Sequence, residues 1–208
     1  MLEPLLDPIS EPPTEEDLSR LQESFASRLS YIDEQLSVLL TRLEELRLRE
    51  ECWVILTSDC GQRFGEFGLF GRIASPLHSE QVQIPLIVCP PGLIEGYRCG
   101  AITQSDDLLP TILDLFQIEN SLAGTSLIPL LEGEMDQIHE HVLARHQDSE
   151  LESRSVRSLE WMYLQQDGPE IERSERLFQK PEDRWEVNDV MQLHFEIVEE
   201  LASVVAQK

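Results

Sequence analysis

Ser58-Asp59-Cys60-Gly61 puts a hydroxyl, a carboxylate and a thiol on consecutive residues, the densest reactive run in the sequence. An aspartate in such a turn either caps a loop amide or holds a cation. A thiol becomes a nucleophile only as thiolate, which needs a positive neighbour; Arg63 and Arg72 are the candidates, although arginines of this kind more often form surface ion pairs. No base adjoins Cys60, so the residue reads as a small, half-buried side chain. His139, His141 and His146 raise zinc binding, since residues two apart share a strand face. No cysteine or second histidine pair lies near them, which favours an ordinary strand. Glu44-Glu45 and Glu199-Glu200 occupy solvated helix positions and are not catalytic pairs. Gly61, Gly65, Gly68 and Gly71 make a loop in which neither GxGxxG nor GxxxxGK[ST] can be read, so a nucleotide site is not indicated.

The elements around these residues must hold them. Trp53 to Thr57 is β-prone without polar alternation, the pattern of a strand covered on both faces, and it delivers Ser58-Asp59-Cys60-Gly61 at its carboxyl end, where open α/β sheets carry their chemistry. Pro85 to Cys89 predicts a second buried strand, turned by Pro90-Pro91-Gly92, and Ala101 to Thr103 a third. Ahead of them, Thr14 and Asp17 form a capping box. Leu18, Leu21, Phe25, Leu29, Ile32, Leu36, Leu39, Leu43 and Leu46 then place one apolar stripe on a long helix. Ser24, Ser27 and Ser30 are atypical of a coiled coil, and a strand follows at once, so this helix is expected to lie on a sheet. Asp106 or Asp107 caps a helix over Leu108 to Phe116, a short helix follows near Leu127 to Leu131, and His141 to Arg145 returns to the sheet. Leu159 to Leu164 and Ile171 to Phe178 flank Asp167-Gly168 as a hairpin, and a last helix begins near Asn188 with Val190, Leu193, Ile197, Leu201 and Val204 on one face.

The 208 residues are 41% hydrophobic, enough for one core and a small appendage. Forty acids against 16 bases give a net charge of −24, which excludes a generic nucleic-acid binder and repels anionic lipid and polyanionic sugar. Cys52, Cys60, Cys89 and Cys99 form no CxxC pair, so reduced thiols are expected. No eighteen-residue apolar run and no basic, apolar leader is visible, which predicts a cytoplasmic protein; a start lying upstream would reopen export. The domain expectation is a proline-rich tether over 1–13, an α/β region over 14–146, and a C-terminal subdomain over 147–208.

Read together, Tyr31-Ile32-Asp33-Glu34-Gln35, Thr57-Ser58-Asp59-Cys60-Gly61-Gln62 and Phe67-Gly68-Leu69-Phe70-Gly71-Arg72 resemble the carboxyl-terminal half of the sulfatases, members of the alkaline phosphatase superfamily. The order continues through Ile84-Pro85-Leu86-Ile87-Val88, Asp107 to Leu115, Gly124 to Leu131, Val156-Arg157, and Pro181-Glu182-Asp183 to Asn188. The resemblance covers about Leu18 to Leu201. It implies an α/β fold: a partial alkaline-phosphatase-like sheet with flanking helices, plus a small C-terminal hairpin and helix.

It also implies sulfate-ester hydrolysis by a formylglycine made from Cys or Ser in C/S-x-P/A-x-R, assisted by calcium. None of the four cysteines begins that motif, and the paired acids of the family's first half are missing. Asp59 matches a metal-binding Asp, while Cys60 stands where His or Asn is usual. Thiolate prefers zinc or copper(I), so the calcium site is expected not to be retained. Arg72 stands near a family Lys that contacts sulfate and keeps its charge. The resulting expectation is a truncated or degenerate sulfatase, inactive alone. Its surface, stripped of neighbouring strands, is expected to be covered by the long helix, by a second copy or by a companion chain. A fragment or subunit completing an active sulfuric ester hydrolase is the alternative, and an anion-binding module using Arg72 is the third.

Overall fold

The computed structural model describes residues 14–68, 70–71, 76–93, 95–147, 151–168 and 171–206. The tether expected over 1–13 lies outside the described residues, as does Arg72. Two compact units emerge, one built from Met1–Ile73 with Glu80–Gly96 and the other from Ala74–Ser79 with Tyr97–Lys208. The chain thus leaves the first unit for six residues and returns.

Helix α1 spans Glu15–Glu45. Its start is the predicted capping box: the Asp17 amide donates to Thr14 Oγ1 at 3.2 Å and the Thr14 amide to Asp17 Oδ2 at 3.1 Å. Such a cap contributes about 1 kcal/mol. Arg20 pairs with Glu16, and Arg42 with Glu45. The apolar stripe is present but not covered by a sheet, because no residue of α1 is buried. Phe25 meets the Phe64 ring at 4.6 Å, while Leu29, Ile32 and Leu39 stay more than half exposed. A period of 3.6 sets which side chains share a face and leaves open what packs against it.

Strand β1 (Val54–Thr57) pairs antiparallel with β4 (Leu86–Cys89), Ile55 opposite Val88 and Leu56 opposite Ile87. Between them come the short pair β2 (Arg63–Phe64) and β3 (Phe70–Gly71), then a single helical turn α2 (Ser79–Val82). The expectation of strands covered on both faces is overturned: β1 and β4 hold no buried residue, and Ile87 is 51% exposed. Their apolar runs are suited to a thicker layer than the described residues provide.

In the second unit, α3 (Leu108–Leu115) and α4 (Ile128–Leu131) form close to where the sequence predicts. Ala101 to Thr103 forms no strand. The tail is larger than a hairpin under a helix. Strands β5 (Val142–Gln147), β6 (Glu152–Arg157), β7 (Trp161–Gly168) and β8 (Ile171–Gln179) make one antiparallel sheet in that order. The segment expected to rejoin the first sheet therefore pairs with β6, Leu143 opposite Val156. Helix α5 (Phe195–Ala206) starts later than expected, after a 3₁₀ turn at Met191–Leu193. It lays Val198, Leu201 and Val205 over Val156, Tyr163 and Leu177, the main apolar core. Alternation sends Met162, Leu164 and Phe178 to the opposite face of the sheet, where they too are buried. Both faces of this small sheet are therefore used.

Candidate functional site

The Asp59–Cys60 turn sits where the sequence places it, directly after β1. Asp59 Oδ1 accepts the Cys60 amide at 2.9 Å, and Ser58 Oγ donates to the Cys60 carbonyl at 2.9 Å. The next amide, Gly61, donates to the Gln81 carbonyl at 2.9 Å. Gly61 is obligatory: a Cβ there would stand 1.8 Å from the Glu80 carbonyl oxygen. The backbone of 80–81 is thereby locked beside the turn. Asp59 is exposed, Cys60 is half-buried, and no disulfide links the four cysteines.

Arg63, expected at the surface, is 1% exposed. It begins β2, paired with Gly71, one residue before Arg72. A guanidinium this deep needs polar company. The Phe64 amide is held by Glu66 Oε2 at 2.5 Å.

These residues can be tested against the ion and nucleophile that the resemblance implies. One exposed carboxylate, already accepting an amide, and one soft thiol do not make the six-oxygen cage that calcium takes. In this chain they do not fit the ion by themselves. The Ser form of the nucleophile motif does occur, a match missed by attention to cysteines alone: Ser24-Phe25-Ala26-Ser27-Arg28 satisfies Ser-x-Ala-x-Arg. It lies inside regular α1, with Ser27 Oγ donating to the Glu23 carbonyl at 2.8 Å.

The three histidines do not converge. His139 Nε2 meets both carboxylate oxygens of Asp107 at 2.9 Å, and His141 approaches Glu200 at 3.7 Å. Asp107 is fully buried and also accepts the amides of Gln104 and Thr125, so the expected cap is a hub for three segments. Gly124 permits this approach, since a Cβ there would stand 2.3 Å from the Asp106 carbonyl oxygen.

A second buried cluster was invisible in the sequence, its partners lying 108 residues apart. Glu186 accepts His78 Nδ1 at 2.5 Å, Lys180 Nζ at 2.8 Å and the Ser79 hydroxyl and amide. Burial works against its charge, but hydrogen bonds from His78, Lys180 and Ser79 outweigh it and hold the carboxyl at about 2. Lys180 already neutralises this carboxylate, so the group is built as a structural lock. Elsewhere in the second unit an open cleft of about 740 Å³ is lined by Arg98 together with Glu132 and Asp136, and its Tyr97 hydroxyl donates to the Leu130 carbonyl. That lining does not gather positive charge for a sulfate.

A carboxylate-bearing turn thus ends a sheet strand, a glycine-locked loop lies beside it, and an antiparallel tail sheet follows in the chain. A family model for sulfatases matches residues 7–118, and the chain belongs to that family. It is 27% identical over 125 residues to choline-sulfatase of Rhizobium meliloti (strain 1021), covering 58% of this chain and 24% of that protein. It is 34% identical over 106 residues to N-acetylglucosamine-6-O-sulfatase of Bacteroides thetaiotaomicron, covering 50% and 19%. A protein solved with its substrate D-glucosamine-2-N,6-O-disulfate shares the fold at TM-score 0.69 and 21% identity, over 86% of this chain and 38% of that one. The matched stretches thus span about a quarter or less of the curated relatives.

Proposed function

We propose that these 208 residues form the second portion of a sulfatase fold and do not hydrolyse sulfate esters by themselves. The observation that supports this reading most directly is the Asp59–Cys60 turn, which offers one carboxylate and a thiol where the chemistry needs a hard-cation cage. Hydrolysis also needs an oxygen nucleophile beside that cation, and the chain's one Ser-x-Ala-x-Arg match is spent inside a helix. Because the members of a catalytic unit act together, losing both removes nearly all of the rate.

The test is turnover of a chromogenic aryl sulfate by the purified chain with and without calcium, alongside intact-mass analysis for an aldehyde at Ser24. No release above buffer and an unmodified Ser24 are expected. Calcium-dependent turnover defeats the proposal. Calorimetric titration of calcium into the chain and into Cys60→His is expected to give no binding heat in either. A cytoplasmic location is part of the same proposal, to be checked by fractionation of the native source. The described helices include none long and apolar enough to cross a membrane.

The alternative, that the chain completes an active sulfuric ester hydrolase together with the fold's first portion, is favoured by one feature. β1 and β4 retain apolar sequences suited to a covered sheet, yet among the described residues they are only half-covered.

A further inference from the structure

We propose that the outer edge of β8 pairs antiparallel with the same edge of a second copy, joining two tail sheets about a two-fold axis at Ser174. β8 is the last strand in the order β5-β6-β7-β8, so among the described residues one of its sides lacks a neighbouring strand. Backbone alternation says which groups face that side. The Leu177 amide donates to Asp189 Oδ1 at 3.1 Å, and its carbonyl accepts the Val190 amide at 2.9 Å, both outside the sheet. With a period of two, the main-chain groups of Glu175 and Arg173 point the same way, while those of Ser174 and Arg176 point towards Gln166 and Leu164 of β7. Asp189 and Val190 therefore close one end of the edge, and among the described residues nothing bonds to the main chain of Arg173 or Glu175.

Charges on an edge ordinarily keep other strands away. Here their order suits one strand in particular. In sequence the run 172–176 is Glu-Arg-Ser-Glu-Arg, balanced in charge and inverted in sign about Ser174. Pairing Ser174 with Ser174 of the second copy sets each Arg173 opposite the other copy's Glu175, at the positions that exchange main-chain bonds. Moving the axis to residue 173 or 175 sets arginine against arginine or glutamate against glutamate, so the charges specify one register. The Arg173 side chain is 52% exposed. The Tyr163 hydroxyl and the Arg173 guanidinium both end on Glu175 Oε1, at 2.5 and 2.7 Å, which leaves Oε2 for Arg173 of the second copy. A strand of another protein would need the same inverted order, which a second copy supplies by symmetry, and a two-fold contact closes on itself. The net charge of −24 opposes association, but at 0.15 M salt screening acts over about 8 Å, so the charges beside the joined edges dominate.

The pairing does not depend on whether the chain hydrolyses sulfate esters. Sedimentation equilibrium of the 208-residue chain should show the mass rising from one chain towards two, with a midpoint in the range of roughly 10–100 μM that suits so small a contact. Exchange of the Arg173 and Glu175 amides should slow about fivefold between dilute and concentrated samples, while the Ser174 and Arg176 amides, which face β7, stay unchanged. Arg173→Glu sets glutamates opposite each other and should weaken the dimer roughly tenfold; adding Glu175→Arg restores opposite signs and should recover most of that loss. Arg173→Pro removes a donor that faces away from the sheet, where an edge strand tolerates proline. It should abolish the dimer while circular dichroism and urea unfolding stay close to wild type. A monomer at every concentration, a dimer indifferent to both Arg173 substitutions, or protection that spares the Arg173 and Glu175 amides overturns the proposal.

Discussion

Removing the charge of Glu186 should measurably destabilise the second unit. A carboxyl held at about 2 rather than its usual 4.5 corresponds to about 3 kcal/mol, at about 1.4 kcal/mol per tenfold change in proton affinity. Solvent screening is slight, since the Lys180 and Glu186 side chains are 4% and 0% exposed. Glu186→Gln keeps the shape and leaves the Lys180 ammonium buried without its counter-charge, a loss that typically costs roughly 3–5 kcal/mol. The folded carboxyl is the stronger acid, so its contribution is complete above about pH 4.5 and is lost as the pH falls towards 2. Urea unfolding followed by tryptophan fluorescence reads this directly, because Trp161 and Trp185 lie in the same unit and Trp185 adjoins Glu186. The variant should lose about 3 kcal/mol at pH 7 with an unchanged slope against urea, and should lack the acid limb of the wild-type profile. Lys180→Met in a double-mutant cycle should show coupling of more than about 1 kcal/mol. A Glu186→Gln variant within about 0.5 kcal/mol of wild type at pH 7, or one keeping the acid limb, refutes the lock.

Four further outcomes follow from the same reasoning. Gly61→Ala drives a Cβ to 1.8 Å from the Glu80 carbonyl, so the turn or the 80–81 backbone must move; hydrogen exchange at the Gly61 amide should accelerate at least tenfold. Tyr163→Phe removes the donor to Glu175 Oε1 and should cost about 1–2 kcal/mol in thermal unfolding. Burial first, and then Glu175, push the Tyr163 phenol well above its ordinary value, so an alkaline absorbance titration should show one phenol ionising well above the usual tyrosine range, a step absent from Tyr163→Phe. Asp107→Ala strands the amides of Gln104 and Thr125 and frees His139, with an expected loss of about 3 kcal/mol by urea unfolding.

The elements legible in the sequence were those whose signal is local. The Thr14–Asp17 box, α3 with Pro110 in its first turn, the β7–β8 pair and the position of Asp59 all depend on residues a few places apart. What failed depended on partners distant in the chain. The VILT and LIVC runs encode burial, yet burial needs a neighbouring layer, and the described residues leave both strands half-open. Val142 to Gln147 is a fair strand in either sheet, and only pairing with β6 decides between them. Local sequence placed the Asp59–Cys60 turn at the end of β1 but did not give the depth of Arg63. It could not reveal the His78–Glu186 contact, because neither residue has a local pattern that announces it.

The six-residue excursion from Ala74 to Ser79, fastened by Glu186, has a consequence for inheritance. Neither unit is encoded by one uninterrupted stretch, so no single breakpoint in the gene separates them cleanly. A cut after Ile73 would strip the first unit of β4, and a cut after Gly96 would deprive the second of the thread that carries His78. Recombination would therefore tend to move the two as one block, and a lineage keeping the tail sheet would carry the Asp59 turn along whether or not it still served a reaction.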